Sequence, residues 1–250
     1  MKCSFYTVHT SVPRRLKIAV CSDLHDNPPE RAIELLKEQK PDLIALPGDI
    51  CEAPEITGEH GFTFMRACAG IAPTFYSLGN HDKAYDDAPG IVAKIREMGV
   101  ILLDDDDIFC KGIWIGGITS GFRGHQHEGY FADTPAPNLS WLDHTFCHRK
   151  GFKLLLCHHP EYYPTYLRKR DISLVLSGHA HGGQWRLFGR GVLAPGQGLF
   201  PKYTSGVHEN KLVISRGMGD HTWIPRIFNP HEIVILELVP IGDSDENRKD

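Results

Sequence analysis

The chain has 250 residues, a formal net charge of −4 and 41% hydrophobic residues. That length and apolar content suit one large α/β domain or two small ones around a packed core. The slightly acidic balance argues against a broad nucleic-acid footprint, which needs clustered Lys and Arg.

No apolar run approaches the roughly 18 residues of a membrane span. The opening MKCSFYTVHTSVPRRL lacks the continuous apolar stretch of a signal peptide. The seven cysteines include no C-x-x-C pair, and unpaired thiols in apolar runs suit a reducing compartment. A cytoplasmic protein is the expectation. Histidine is the outlier in composition, with 15 residues, and neutral imidazole is the commonest side-chain metal ligand.

In chain order, LKIAVC (16–21) reads as a strand ending at SDLHDN, and PPERAIELLKEQK as a helix with prolines in its first turn. DLIALP (42–47) is the next strand, ending at GDI; a helix near 61–70 leads to PTFYSL (73–78), ending at GNHD. A helix near 89–98 precedes VILLDDDDIFCKGIWIGGI, read as closely spaced strands and turns. NLSWLDHTFCH is helical, with Asn138 or Ser140 as its cap. FKLLLC (152–157) ends at HHP, ISLVLS (172–177) ends at GHAHGG, and the remainder is strand-rich. Strand–helix alternation predicts a largely parallel α/β sheet, with a second sheet packed on it. One domain over residues 1–240 is expected, followed by a polar tail, 241–250.

Five of these strands end in ligand-type residues: Asp23-x-His25, Gly48-Asp49, Asn80-His81-Asp82, His158, and His179-x-His181. Open α/β sheets bind ligands outside the carboxyl ends of their strands, so these residues are expected to converge on one rim. Carboxylates and an amide oxygen mixed with imidazoles suit manganese, iron, zinc or cobalt. The lack of cysteine at these positions argues against a closed structural zinc site. Gly48, Gly79 and Gly178 leave room at the rim.

The order and spacing of these motifs resemble the calcineurin-like metallophosphoesterases from about Leu16 to Leu238. SGHAHGGQ, APGQGLFPKYTSGVHE, LVISRGMG and IPRIFNPHEIVILEL are similar to the subgroup that includes the bacterial phosphodiesterases YkuE and YaeI. The resemblance implies a four-layer α/β/β/α sandwich and a site for two divalent cations. It implies Asp23, His25 and His181 as ligands of one cation, Asn80, His158 and His179 as ligands of the other, and Asp49 bridging. It implies His81 as the non-ligating histidine at the reacting phosphate and Asp82 as the carboxylate that orients it. Members of the subgroup include membrane-tethered proteins and enzymes of lipid-linked substrates, so a small-molecule or lipid-linked phosphoester and a peripheral membrane contact are expected partners. Asp26, where relatives carry a small residue, is expected to alter the pocket mouth.

The expected activity is hydrolysis of phosphodiester or pyrophosphate bonds, with two cations activating water and neutralising charge. His81 is expected to protonate the leaving group. A cyclic-nucleotide or nuclease-type diesterase and a non-catalytic scaffold of the same fold are the alternatives. His159 is read as packing or pocket wall rather than a ligand, because strand neighbours point to opposite sides, and with Arg123 as a candidate substrate contact. His125 and His127, in GFRGHQHEG, His221 and His231 are read as loop residues. WRLFGRGVLAPGQGLFPKY is either a rim loop or a groove for an apolar leaving group. Asp104 to Asp107 is read as a solvated turn, since four consecutive carboxylates cannot face one ion.

Overall fold

The computed structural model describes residues 1–52, 59–83, 91–122, 130–220 and 222–243. The first half contains β1 (Lys2–Thr10), β2 (Leu16–Val20), α1 (Glu30–Gln39), β3 (Leu43–Pro47) and α2 (Glu59–Ile71). It continues through β4 (Thr74–Ser77), α3 (Asn80–Lys83), α4 (Ile91–Glu97) and β5 (Ile101–Leu102). The second half brings β6 (Asp106–Cys110), β7 (Ile113–Ile118), α5 (Leu139–His144), β8 (Lys153–Cys157) and β9 (Leu174–Ser177). Four short strands follow: β10 (Arg186–Leu187), β11 (Arg190–Gly191), β12 (Leu193–Ala194) and β13 (Gly198–Leu199). The chain closes with β14 (Gly206–His208), β15 (Leu212–Ile214) and β16 (Glu232–Pro240).

Two six-stranded sheets result, ordered β1-β16-β2-β3-β4-β5 and β14-β15-β9-β8-β7-β6. The runs β2-β3-β4-β5 and β7-β8-β9-β15 are parallel. Antiparallel pairs occur at β16–β2, β6–β7 and β14–β15. β10–β11 and β12–β13 form two small ribbons outside the sheets.

The period of two in each strand separates three cores. Ile18, Val20, Leu43 and Ala45 point between the sheets, where they meet Leu154, Leu156, Leu174 and Leu176. Their neighbours Ala19, Cys21, Ile44 and Leu46 point the other way, onto Ala32 and Leu36 of α1 and Phe64, Met65 and Cys68 of α2. On the second sheet Leu155, Cys157 and Val175 pack outward against Leu142, Phe146, Tyr162 and Tyr163. Each fully buried aliphatic or aromatic side chain contributes about 1.5–3 kcal/mol relative to exposure. Apolar residues on both faces of these central strands therefore demand cover on both sides, which gives the four layers α/β/β/α.

Local signals act as the sequence suggests. α1 begins after Pro29, and Lys40 ends it in the left-handed region with its N–H on the Leu36 carbonyl. Asn138, rather than Ser140, caps α5 by accepting from the Ser140 N–H. β1 is an addition to the expected strands. It pairs in parallel with β16 as an edge strand, and its mostly exposed or partly exposed pattern, with only Ser4 and Val8 buried, hides it from a periodicity argument. The aspartate run is more structural than a solvated turn. Asp104 accepts from Thr119 Oγ1, Asp105 from Thr119 N–H, and Asp107 pairs with Arg149 at 3.0 Å.

Candidate metal centre

The carboxyl ends of β2, β3 and β4 in one sheet and β8 and β9 in the other meet at one end of the sandwich. Every named strand-end residue except Asn80 there falls into a tight polar group or holds one together. Ligand-type atoms of Asp23, His25 and His181 lie within 4.8 Å of one another, as do those of Asp49, His158 and His179. His25, Asp49 and His81 form a third set by the same measure. Asn80, buried, opens α3 directly after β4.

The backbone pays a local strain to make these turns. Asp23, His25, Asp49, His179 and His181 all have positive φ, between 44° and 66°. Asp and His tolerate that region better than most residues, but it still marks an over-determined site. Gly48, at φ 90°, has no alternative residue: a Cβ there would lie 2.4 Å from His158 Nδ1. A Cβ on Gly178 would lie 2.4 Å from Asp23 Oδ2.

Asp49 stands between the groups. Its Oδ2 is 2.9 Å from His158 Nε2 and 3.9 Å from His25 Nε2, and its Oδ1 accepts from the His81 N–H. Burial pushes the Asp49 carboxyl up, but His158, His81 and His25 hold it well below its usual value. Burial pulls His158 down, yet Asp49 raises it to about 10. The space between these atoms therefore favours positive charge.

The imidazoles meet nitrogen to nitrogen, and burial pulls His25 and His181 below their usual values, which keeps them neutral donors. His25 Nε2 faces His181 Nε2 at 3.2 Å, and His158 Nε2 faces His179 Nδ1 at 3.1 Å. Two metal–nitrogen bonds of about 2.1 Å, opened by about 90–110°, would separate their nitrogens by roughly 3–3.4 Å. Asp23 Oδ2 is buried without a hydrogen-bond partner among the described residues, while its Oδ1 accepts from the His179 N–H and lies 3.7 Å from His181 Nε2. The donor set, its spacing and this oxygen fit divalent cations.

Residues outside the expected set complete the arrangement. Glu52 places Oε2 2.8 Å from His25 Nδ1 and Oε1 2.8 Å from His81 Nδ1. Asp82, expected to orient His81, instead accepts from the N–H groups of Asp49, Gly79 and Cys51. Its carboxyl is raised to about 6 by burial and by Asp49. Asp82 thus braces the Asp49 turn, and Glu52 places a carboxylate on the His81 ring. Arg226 donates to His181 Nδ1 at 2.9 Å and to the carbonyls of Arg216 and Gly219. With Arg226 donating to His181 and His25 donating to Glu52, the remaining proton sits between the two Nε2 atoms. That is the position a divalent cation held by His25 and His181 would take in place of the proton.

His159 is buried, with Nε2 2.8 Å from Ser120 Oγ and its ring packed on Phe122 and Tyr162. A side chain enclosed on those sides is packed inside the fold, and a direct substrate contact is not open to it. Asp26 is buried as well and accepts from the Gly61 N–H at the start of α2, so it anchors that helix rather than altering a pocket mouth. His231 bonds Asp220. Arg123, His125, His127 and His221 lie outside the described residues.

Beside the His181 group, residues 185–200 and 222–228 form one rim. Trp185 bridges Ile227, Arg186 N–H donates to the Ile227 carbonyl, and Asn229 holds the His181 carbonyl. Trp185, Leu187, Phe188, Leu199, Phe200, Trp223 and Phe228 are exposed along it.

The calcineurin-like phosphoesterase family model matches residues 16–183, which include both histidine–aspartate groups, and the chain belongs to that family. A metallophosphoesterase of Campylobacter jejuni is 28% identical over 91% of this chain and 60% of its own length. Phosphodiesterase YaeI of Escherichia coli is 28% identical over 83% of this chain and 74% of its own. The metallophosphoesterase YkuE of Bacillus subtilis is 26% identical over 81% of this chain and 70% of its own. The chain thus spans about three fifths of the Campylobacter relative. Among the described residues no helix is long and apolar enough to cross a membrane.

Proposed function

We propose that this chain, as a single domain over residues 1–240, is a metal-dependent hydrolase of phosphodiester or pyrophosphate bonds. The observation that carries the reading is the pair of buried histidine–aspartate groups with Asp49 between them. Asp23, His25 and His181 would hold one divalent cation, Asn80, His158 and His179 the other, and Asp49 both. Manganese, iron, zinc and cobalt all suit these donors. When bound, such a pair supplies Lewis-acid charge for the phosphoryl oxygens and lowers the pKa of water toward neutrality.

His81 is the group on this chain suited to protonate the leaving oxygen. Its Nδ1 is engaged by Glu52, which fixes the ring in a set orientation for proton transfer. A phosphodiester is the favoured substrate class because the similar Escherichia coli protein is named a phosphodiesterase. A nuclease is disfavoured by the net charge of −4. Seven free cysteines support a reducing, cytoplasmic setting.

A second, finer reading is favoured by the rim: an apolar or lipid-linked leaving group would lie along its exposed aromatic side chains. The test is turnover of bis-p-nitrophenyl phosphate by chelator-stripped protein with manganese, iron, zinc or cobalt restored in turn. Metal-restored hydrolysis is expected, and no turnover with any of the four would overturn the proposal. Equal rates on short and acyl-bearing diesters would remove the lipid reading alone.

A further inference from the structure

The ring of His179 has a carboxylate at its back. Nδ1 faces His158 across the candidate site, and the opposite nitrogen, Nε2, lies 3.5 Å from Glu161 Oε1. Glu161 reaches this place through the tight turn after β8, in which Tyr162 N–H donates to the His159 carbonyl and Tyr163 N–H to that of Pro160.

The carboxylate is held from several sides. Thr134 Oγ1 donates to Oε1 at 2.6 Å, and His159 Nδ1 lies 3.2 Å from the same oxygen. Gly196 presses on it from outside: a Cβ there would come within 2.8 Å of Oε1 and 2.4 Å of Thr134 Oγ1. The His159 ring packs edge-on against His179, with centroids 4.2 Å apart, and its far nitrogen is tied to Ser120. His179 therefore has one ring face fixed by packing and its outer nitrogen turned toward a fixed negative charge.

We infer that Glu161 is a positioning residue for His179, setting the tautomer and orientation in which Nδ1 presents its lone pair to a cation shared with His158 and Asp49. The inference rests on the metal-binding reading proposed above. A carboxylate behind a ligating imidazole fixes the proton on the outer nitrogen and raises the basicity of the inner one. At 3.5 Å the contact is longer than a full hydrogen bond, so charge and ring packing supply the orientation together. The hydroxyl of Thr134 and the His159 ring hold the Glu161 carboxylate facing the outer nitrogen of His179. Glu52 stands to His25 as Glu161 stands to His179, which gives each histidine–aspartate group a carboxylate of its own.

The test is calorimetric titration of the metal-free full chain with manganese, alongside its metal-free thermal melt. In Glu161→Gln the affinity for one of two cations is expected to fall about 10–100-fold, with the metal-free melting temperature within about 4 °C of wild type. Glu161→Asp should recover part of the loss, which a merely structural role would not produce. Wild-type affinity for both cations in Glu161→Gln overturns the inference. If Glu161→Gln does not fold, Thr134→Val, which removes only the hydroxyl on Oε1, must weaken the same cation, and unchanged binding then overturns it. Wild-type protein that binds no manganese takes down the metal-site reading itself, and this inference with it.

Discussion

His81 and Glu52 carry the proposed chemistry at the scale of single residues. Without the imidazole, an ester with a poor leaving group should lose about 10²–10⁴-fold in kcat, because proton donation to the departing oxygen is gone. An ester of p-nitrophenol, whose anion leaves unaided, should lose much less. Steady-state kinetics of His81→Ala on the two substrates, with metal content checked, measures the difference, and equal losses would sink the assignment. Glu52→Gln should cost about 10–100-fold in activity or metal affinity, since it touches His25 and His81 together.

Legibility was uneven at this scale. The strand-end pattern singled out Asp23, His25, Asp49, His158, His179 and His181, which the fold gathers into the two groups. Glu52 and Glu161 were within reach, three residues after Asp49 and two after His159, but acidic residues in loops are too common to stand out without coordinates. Arg226 had no local signal. It meets His181 only because the segment after β15 folds back over the strand ends, 45 residues downstream. The left-handed backbone at five site residues is equally silent in the sequence, since none of the five is glycine.

Elements explain why the site is where it is. β16 enters the first sheet at Glu232, which is fully buried and accepts from Arg216 Nη2 and Ser4 Oγ, both at 2.5 Å. That pairing joins β1, β16 and the loop after β15. Glu232→Ala leaves Arg216 uncompensated and should destabilise the fold by about 3–5 kcal/mol, measured by urea unfolding; a loss below about 1 kcal/mol would show the pair to be dispensable. α2 packs Cys68 against the outer face of the first sheet, where burial pushes its thiol well up. In native protein at pH 8 Cys68 stays a neutral, enclosed thiol and should resist alkylation, whereas the half-buried Cys110 should react. Mass-spectrometric mapping of labelled cysteines reads this directly. The central strands were legible from their apolar runs because both faces are covered. β1 was not, because an edge strand with polar and partly exposed positions has no such run.

At the scale of the molecule, the two sheets stack so that strand ends from both contribute to one cluster of ligand-type side chains. The separation in sequence between Asp23 and His181 is closed by topology, not by any local preference. The fold class and the convergence of these positions could be read from alternation and strand-end chemistry. The backing carboxylates and the exposed aromatic rim could not, because they depend on how long loops lie across the sheet ends. The most direct measurement is the stoichiometry of divalent cations bound by the metal-free chain, by calorimetry and elemental analysis, for wild type, His181→Ala and His158→Ala. Two cations per chain in the wild type and one in each variant is the predicted result. A wild-type chain that binds none, or variants that bind as the wild type does, would contradict the account.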